Sequence, residues 1–316
     1  MGAVVGRWPA LVCPGIVVLL ATLSLAAVAC EDGGSGEDGE PRIVFYSDRD
    51  GDDDVYIMNL DGTELDHLTN EPGRDYEADT SPDGRTLVFA SQRDGPNNSL
   101  LYLMDIDGSN VRRLTEPPDE GRVIDDYAHW SPDNRHIVFQ RTTSPEGGFP
   151  DADIWMVDTE TGEETQLTNT PDSWDSTPSV SAGEKSVLFE SDRDGDYEIH
   201  RLDLASGEVT QLTDSPGTDA EAKESPDGKS IVFSTTRDGE YEIHVMDADG
   251  ENVRQLTDND AEDRCAQWSP DGTRITFYSL RDGDAELYVM NADGREQARL
   301  TVSPGRDEVP DWVPAS

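Results

Sequence analysis

The chain has 316 residues and a formal net charge of −44, from 68 acidic against 24 basic residues. That balance makes nucleic acid and anionic lipid head groups poor partners. With three cysteines, Cys13, Cys30 and Cys265, no disulfide framework is expected.

In chain order, residues 1–29 carry one charge, Arg7, and the run from Leu11 to Ala29 is almost wholly apolar, which reads as an export signal. It ends Ala27-Val28-Ala29-Cys30, small residues before a cysteine, resembling the lipobox cut by lipoprotein signal peptidase. Ala27 with Ala29 also fits an ordinary small-x-small cleavage site. On the lipobox reading, Cys30 becomes the acylated first residue of an exported protein. The lipid alone then holds it to the extracytoplasmic face of a bacterial membrane, in the periplasm or at the cell surface. Removal of the signal moves the charge from −44 to −45. Residues 30–41 are almost entirely Glu, Asp, Gly and Ser and read as a flexible tether.

Residues 42–316 are repetitive. Phe45, Phe89, Phe139, Phe189, Phe233 and Phe277 fall at intervals of 44, 50, 50, 44 and 44, each ending an apolar triplet. Leu-Thr pairs begin in the same register at Leu68, Leu114, Leu167, Leu212, Leu256 and Leu300. Ser-Pro-Asp-Gly turns start at Ser81, Ser225 and Ser269, with a variant at Ser131. A period of 40 to 50 residues with short β-branched runs and glycine turns predicts propeller blades. In the fifth repeat the spacing predicts strand A over Glu221 to Glu224, B over Ser230 to Ser234, C over Glu242 to Met246, and D ending at Leu256. The chain enters its first blade at strand B and finishes with a strand A, Glu308 to Trp312. The expected fold is therefore all-β, a six-bladed β-propeller of four-stranded antiparallel blades, closed by the C-terminal strand joining the first blade.

The succession Ser-Pro-Asp-Gly, Ile-x-Phe, Ser-x-Arg-Asp-Gly, Ile-Tyr-x-Met-Asp, Asp-Gly and Leu-Thr resembles the WD40-like repeat of TolB-type propellers over residues 42–313. TolB proteins carry an α/β domain ahead of the propeller and hold a peptidoglycan-associated lipoprotein; here the tether stands in that place. The resemblance implies the fold more strongly than the partner.

Six aspartates, Asp75, Asp125, Asp175, Asp219, Asp263 and Asp307, lie six residues before each A–B turn and are expected to ring the channel mouth. They fit either a cation or basic-peptide site or six structural partners for the Arg-Asp-Gly turns after strand B. Asp48, Asp50, Asp52 and Asp54 alternate like the ligands of a calcium loop, without a distal glutamate at the usual spacing. No other cofactor is expected. On strand A, Asp79, His129, Ser179, Lys223, Gln267 and Asp311 form a polar set tilting toward the channel. His129 and Lys223 are its binding candidates. The third repeat replaces Arg-Asp-Gly with a longer stretch from Arg141 to Asp153 containing Phe149, a candidate partner contact. His200 and His244 occupy aromatic packing positions, and no Gly-x-Ser-x-Gly elbow occurs.

These features point to a monomeric, non-catalytic envelope lipoprotein that binds a protein or glycan through the face bearing the D–A and B–C loops. The alternative is a metal-dependent polysaccharide lyase or hydrolase using channel carboxylates. Oligogalacturonate lyases use similar repeats with a histidine-bound metal, and His129 alone is placed for that role.

Overall fold

The computed structural model describes residues 41–117, 121–144 and 150–314. Cys30, the tether and Phe149 lie outside the described residues.

Each apolar triplet buries its phenylalanine completely or to within 1% exposure, and its neighbours alternate between the two faces of the sheet. Both faces are covered by adjoining blades. Each such burial contributes about 2–3 kcal/mol. Six four-stranded antiparallel sheets result. The fifth contains Asp219–Glu224, Ser230–Thr235, Glu242–Asp247 and Arg254–Gln255. Strand A thus begins two residues earlier than its polarity suggested, because Asp219 already pairs with Thr235.

The innermost strands pack side by side around the channel, and Asp307–Val313 meets Asp75–Thr80. Closure follows the expected path. Asp307–Val313 pairs with Arg42–Ser47, so chain ends share one sheet and no inner edge is left open.

Two further repeats have a packing cause. The threonine of every Leu-Thr pair accepts an N–H from strand C: Ile243 N donates to Thr257 Oγ1 at 2.8 Å, and Leu287 N to Thr301 Oγ1 at 2.9 Å. In four blades the C–D glycine, Gly62, Gly108, Gly250 or Gly294, lies against the preceding blade. A Cβ on Gly250, at φ +89°, would stand 2.5 Å from the Leu212 carbonyl oxygen.

The third repeat departs from its predicted loop. Strand B runs His136–Ser144 and strand C Asp151–Asp158, so Arg141 lies inside a lengthened hairpin.

Candidate functional site

The innermost strands carry two sets of polar side chains, four residues apart, with opposite fates. All six aspartates of the first set are fully buried. In the fifth blade Arg237 Nη2 donates to Asp219 Oδ2 at 2.6 Å, and its guanidinium carbon lies 5.3 Å from the Phe233 ring centroid. Thr235 Oγ1 also donates to Asp219. Equivalent pairs join Arg49 to Asp307, Arg93 to Asp75, Arg193 to Asp175 and Arg281 to Asp263. Arg141 meets Asp125 with two bonds of 2.7 Å, filling the same role without an Arg-Asp-Gly turn. Each aspartate is therefore a latch between strands A and B of one blade. None presents a surface to a ligand.

The candidate calcium loop is likewise dispersed. Asp48 accepts Arg306 N at 2.7 Å, Asp50 accepts the Tyr56 hydroxyl at 2.8 Å, and Asp54 faces His67 Nε2 at 3.0 Å, while Asp52 is exposed. Among the described residues no three His, Cys, Asp or Glu side chains gather as a metal site. His200 and His244 pack on Phe189 and Phe233, with ring centroids 5.7 and 5.9 Å apart.

The second set, Asp79, His129, Ser179, Lys223, Gln267 and Asp311, forms the floor of a funnel of about 360 Å³. Its rim is apolar. Pro82, Pro132, Pro226, Pro270 and Pro314 come from the A–B turns and the C-terminal end, and Trp130, Trp268 and Trp312 stand between them and the floor. The polar phase of strand A thus lines the channel as its pattern suggested. This funnel opens at the A–B end, opposite the Arg-Asp-Gly turns where the loops suggested a binding face. At the B–C end the aspartates and arginines neutralise one another inside the blades.

The floor is electrically lopsided. Asp311 Oδ2 accepts Thr80 N at 2.8 Å and Asp79 Oδ2 accepts Trp130 N at 2.8 Å, each tying one blade to the next. Burial, and then the charge of Asp311, pushes the Asp79 carboxyl well above the usual range. Burial raises Asp311 to about 6. Lys223 makes no ion pair within 4.0 Å among the described residues. Burial lowers its pKa against the opposing pull of Asp79 and Asp311. His129 Nε2 lies 3.9 Å from Asp79 Oδ1, and burial holds the imidazole well below its ordinary value, in the neutral form.

A deeper layer was not legible in the repeat. Glu77, Tyr127, Thr177, Glu221, Cys265 and Val309 line the channel beneath the floor, each at a bulge with φ between 47 and 58°. Their N–H groups cross-link blades: Tyr127 N donates to Glu77 Oε2 at 2.9 Å and Cys265 N to Glu221 Oε2 at 2.8 Å. Desolvation opposes the Glu221 charge most strongly, but Arg264 at 2.6 Å, the Ser234 hydroxyl and the Cys265 N–H together outweigh it and keep the carboxylate below its ordinary value. Left-handed residues have no signature in a run such as Ala220 to Lys223 unless glycine marks them.

A six-bladed propeller with latched blades and an open, rimmed funnel defines a propeller of the TolB class. The chain belongs to the TolB beta propeller domain family, whose model matches residues 36–149, 128–236 and 216–316. A TolB homologue of Chlorobium luteolum is 31% identical over 169 residues, 53% of this chain and 35% of that protein. The chain spans about a third of the length of the curated relatives it matches. TolB from Acinetobacter baumannii has the same fold, with a TM-score of 0.73 at 23% identity over 87% of this chain and 67% of that one. An oligogalacturonate lyase in complex with manganese matches at 0.57 and 20% identity, over 82% and 73%. At such identities these two likenesses show the fold alone. Among the described residues no helix is long and apolar enough to cross a membrane.

Proposed function

We propose that the chain is a non-catalytic binding module of the cell envelope, exported and lipid-anchored through Cys30, that engages a protein or glycan at the funnel of its propeller. One observation carries this reading: the uniform side chains are consumed in latches, whereas the side chains that differ from blade to blade meet at an open cavity with an apolar rim. A binding site needs different contacts at different points, and a scaffold needs the same contact in every blade. The TolB kinship supports a binding role. The export signal and the small residues before Cys30 support the location.

A second reading has its own support. Asp79 and Asp311 are paired carboxyls of raised proton affinity in a cavity, the environment of acid–base chemistry. It makes the chain a polysaccharide lyase or hydrolase.

Photo-crosslinking in the native cell separates these. A probe at Pro226 on the funnel rim is expected to give one dominant protein or glycan adduct, and a probe at Glu240 on the opposite face none. Equal adducts from both positions, or turnover of envelope polysaccharide by the purified protein that is abolished by Asp79→Asn, would overturn the binding reading.

A further inference from the structure

The six floor positions are not interchangeable around the ring. Blades one and two place Asp311 and Asp79 side by side, and blades three and four follow with neutral His129 and Ser179. Lys223 stands in the fifth blade and Gln267 in the sixth. Ser179 is already spent, donating to the Ala222 carbonyl at 2.7 Å. The two aspartates each commit Oδ2 to a neighbouring blade and leave Oδ1 without a hydrogen-bond donor among the described residues. Without a counter-ion the two carboxyls favour holding a proton, and an incoming cation between them supplies the charge that favours their ionised form.

The wall above the floor carries three tryptophans. Trp268 Nε1 donates to the Lys223 carbonyl at 3.2 Å and Trp312 Nε1 to the Gln267 carbonyl at 3.3 Å. Trp130, 6% exposed and lining the funnel next to Asp79, has no acceptor for its Nε1. That Nε1 is closed to solvent, so Trp130 serves the funnel through its apolar ring.

Resting on the binding reading above, we propose that the funnel captures a cationic group of a partner protein, an ammonium or guanidinium seated between Asp79 and Asp311. The rim of prolines and tryptophans covers the aliphatic stem or the flanking peptide, which buries apolar surface and gives a cation an aromatic face. Lys223 opposes an incoming cation, and the two aspartates outnumber it once both are ionised. An anionic ligand would meet Lys223 only by approaching both carboxylates, against the field of a chain with net charge −44.

The test is calorimetric titration of the purified protein with a lysine pentapeptide at physiological salt, beside a glutamate pentapeptide and a trigalacturonate. The double substitution Asp79→Asn and Asp311→Asn keeps an acceptor for the Trp130 and Thr80 amides and changes the overall charge by two in 44. It is expected to weaken the lysine peptide by about tenfold or more. Lys223→Met is expected to tighten it. Equal affinity of wild type and the double variant would assign binding to the general surface field and overturn the cation site. Binding of the trigalacturonate that is lost with Lys223→Met would also overturn it, while keeping the funnel as a binding site. No binding of any probe, with no adduct from Pro226, would overturn the binding reading itself.

Discussion

Two six-membered polar sets lie four residues apart on the same strands, and they behave oppositely. Asp219 and its equivalents are identical in every blade, wholly buried, and matched by an arginine and a phenylalanine ring. Lys223 and its equivalents differ in almost every blade, face a cavity, and have few protein partners. Repetition within one chain thus sorts roles without any relative for comparison. What every blade needs is structure, and on the function proposed here what the ring needs once is recognition.

The largest expected effect comes from breaking a latch. Asp219→Ala leaves Arg237 over Phe233 with no counter-charge, and loss of one partner from a buried pair costs on the order of 3 kcal/mol. Chemical denaturation should show that loss; a change below about 0.5 kcal/mol would mean that the latch is decorative.

A smaller effect should distinguish the channel interior by its pH dependence. Burial raises Glu190 to about 7, with Glu221 adding repulsion and Arg264 opposing it, while Ser176 donates to its carboxyl at 2.6 Å. A carboxyl whose folded pKa exceeds its unfolded value holds more protons in the folded state, so its contribution is present at low pH and lost as pH rises from about 4.5 toward 7. Glu190→Gln should therefore improve relative stability more at pH 8 than at pH 5. Melting curves at the two values check the sign, and a variant whose deficit grows with pH would refute it.

The smallest effect belongs to the funnel floor. The Gln267 side chain makes no hydrogen bond among the described residues, and Gln267→Ala should change stability by less than about 0.5 kcal/mol while altering ligand affinity. A large loss of stability would move the floor into the structural class.

Much of this was legible in the sequence because repeats expose their own register. The phenylalanine spacing gives the blades, and the missing first strand gives the closure through Asp307–Val313. The polar phase containing His129 and Lys223 gives the channel lining. The rimmed funnel at the A–B end was not legible, because the prolines of the A–B turns read only as punctuation between strands. Nor was the bulged layer at Glu77 and Cys265, since a positive φ on a non-glycine residue leaves no mark in the chain. The extended hairpin around Arg141 read as a loop because glycine and proline there obscured strand pairing that continues to Thr143.

The most direct measurement compares two variants in one experiment, reading melting temperature and ligand capture together. Asp219→Ala should lose several degrees of melting temperature and, below its transition, still bind the lysine pentapeptide or the crosslinked partner. The Asp79→Asn and Asp311→Asn double variant should keep its melting temperature and lose that binding. The reverse pattern, with a stable latch variant that cannot bind or an unstable funnel variant that can, would contradict the division of these strands into a structural end and a recognition end.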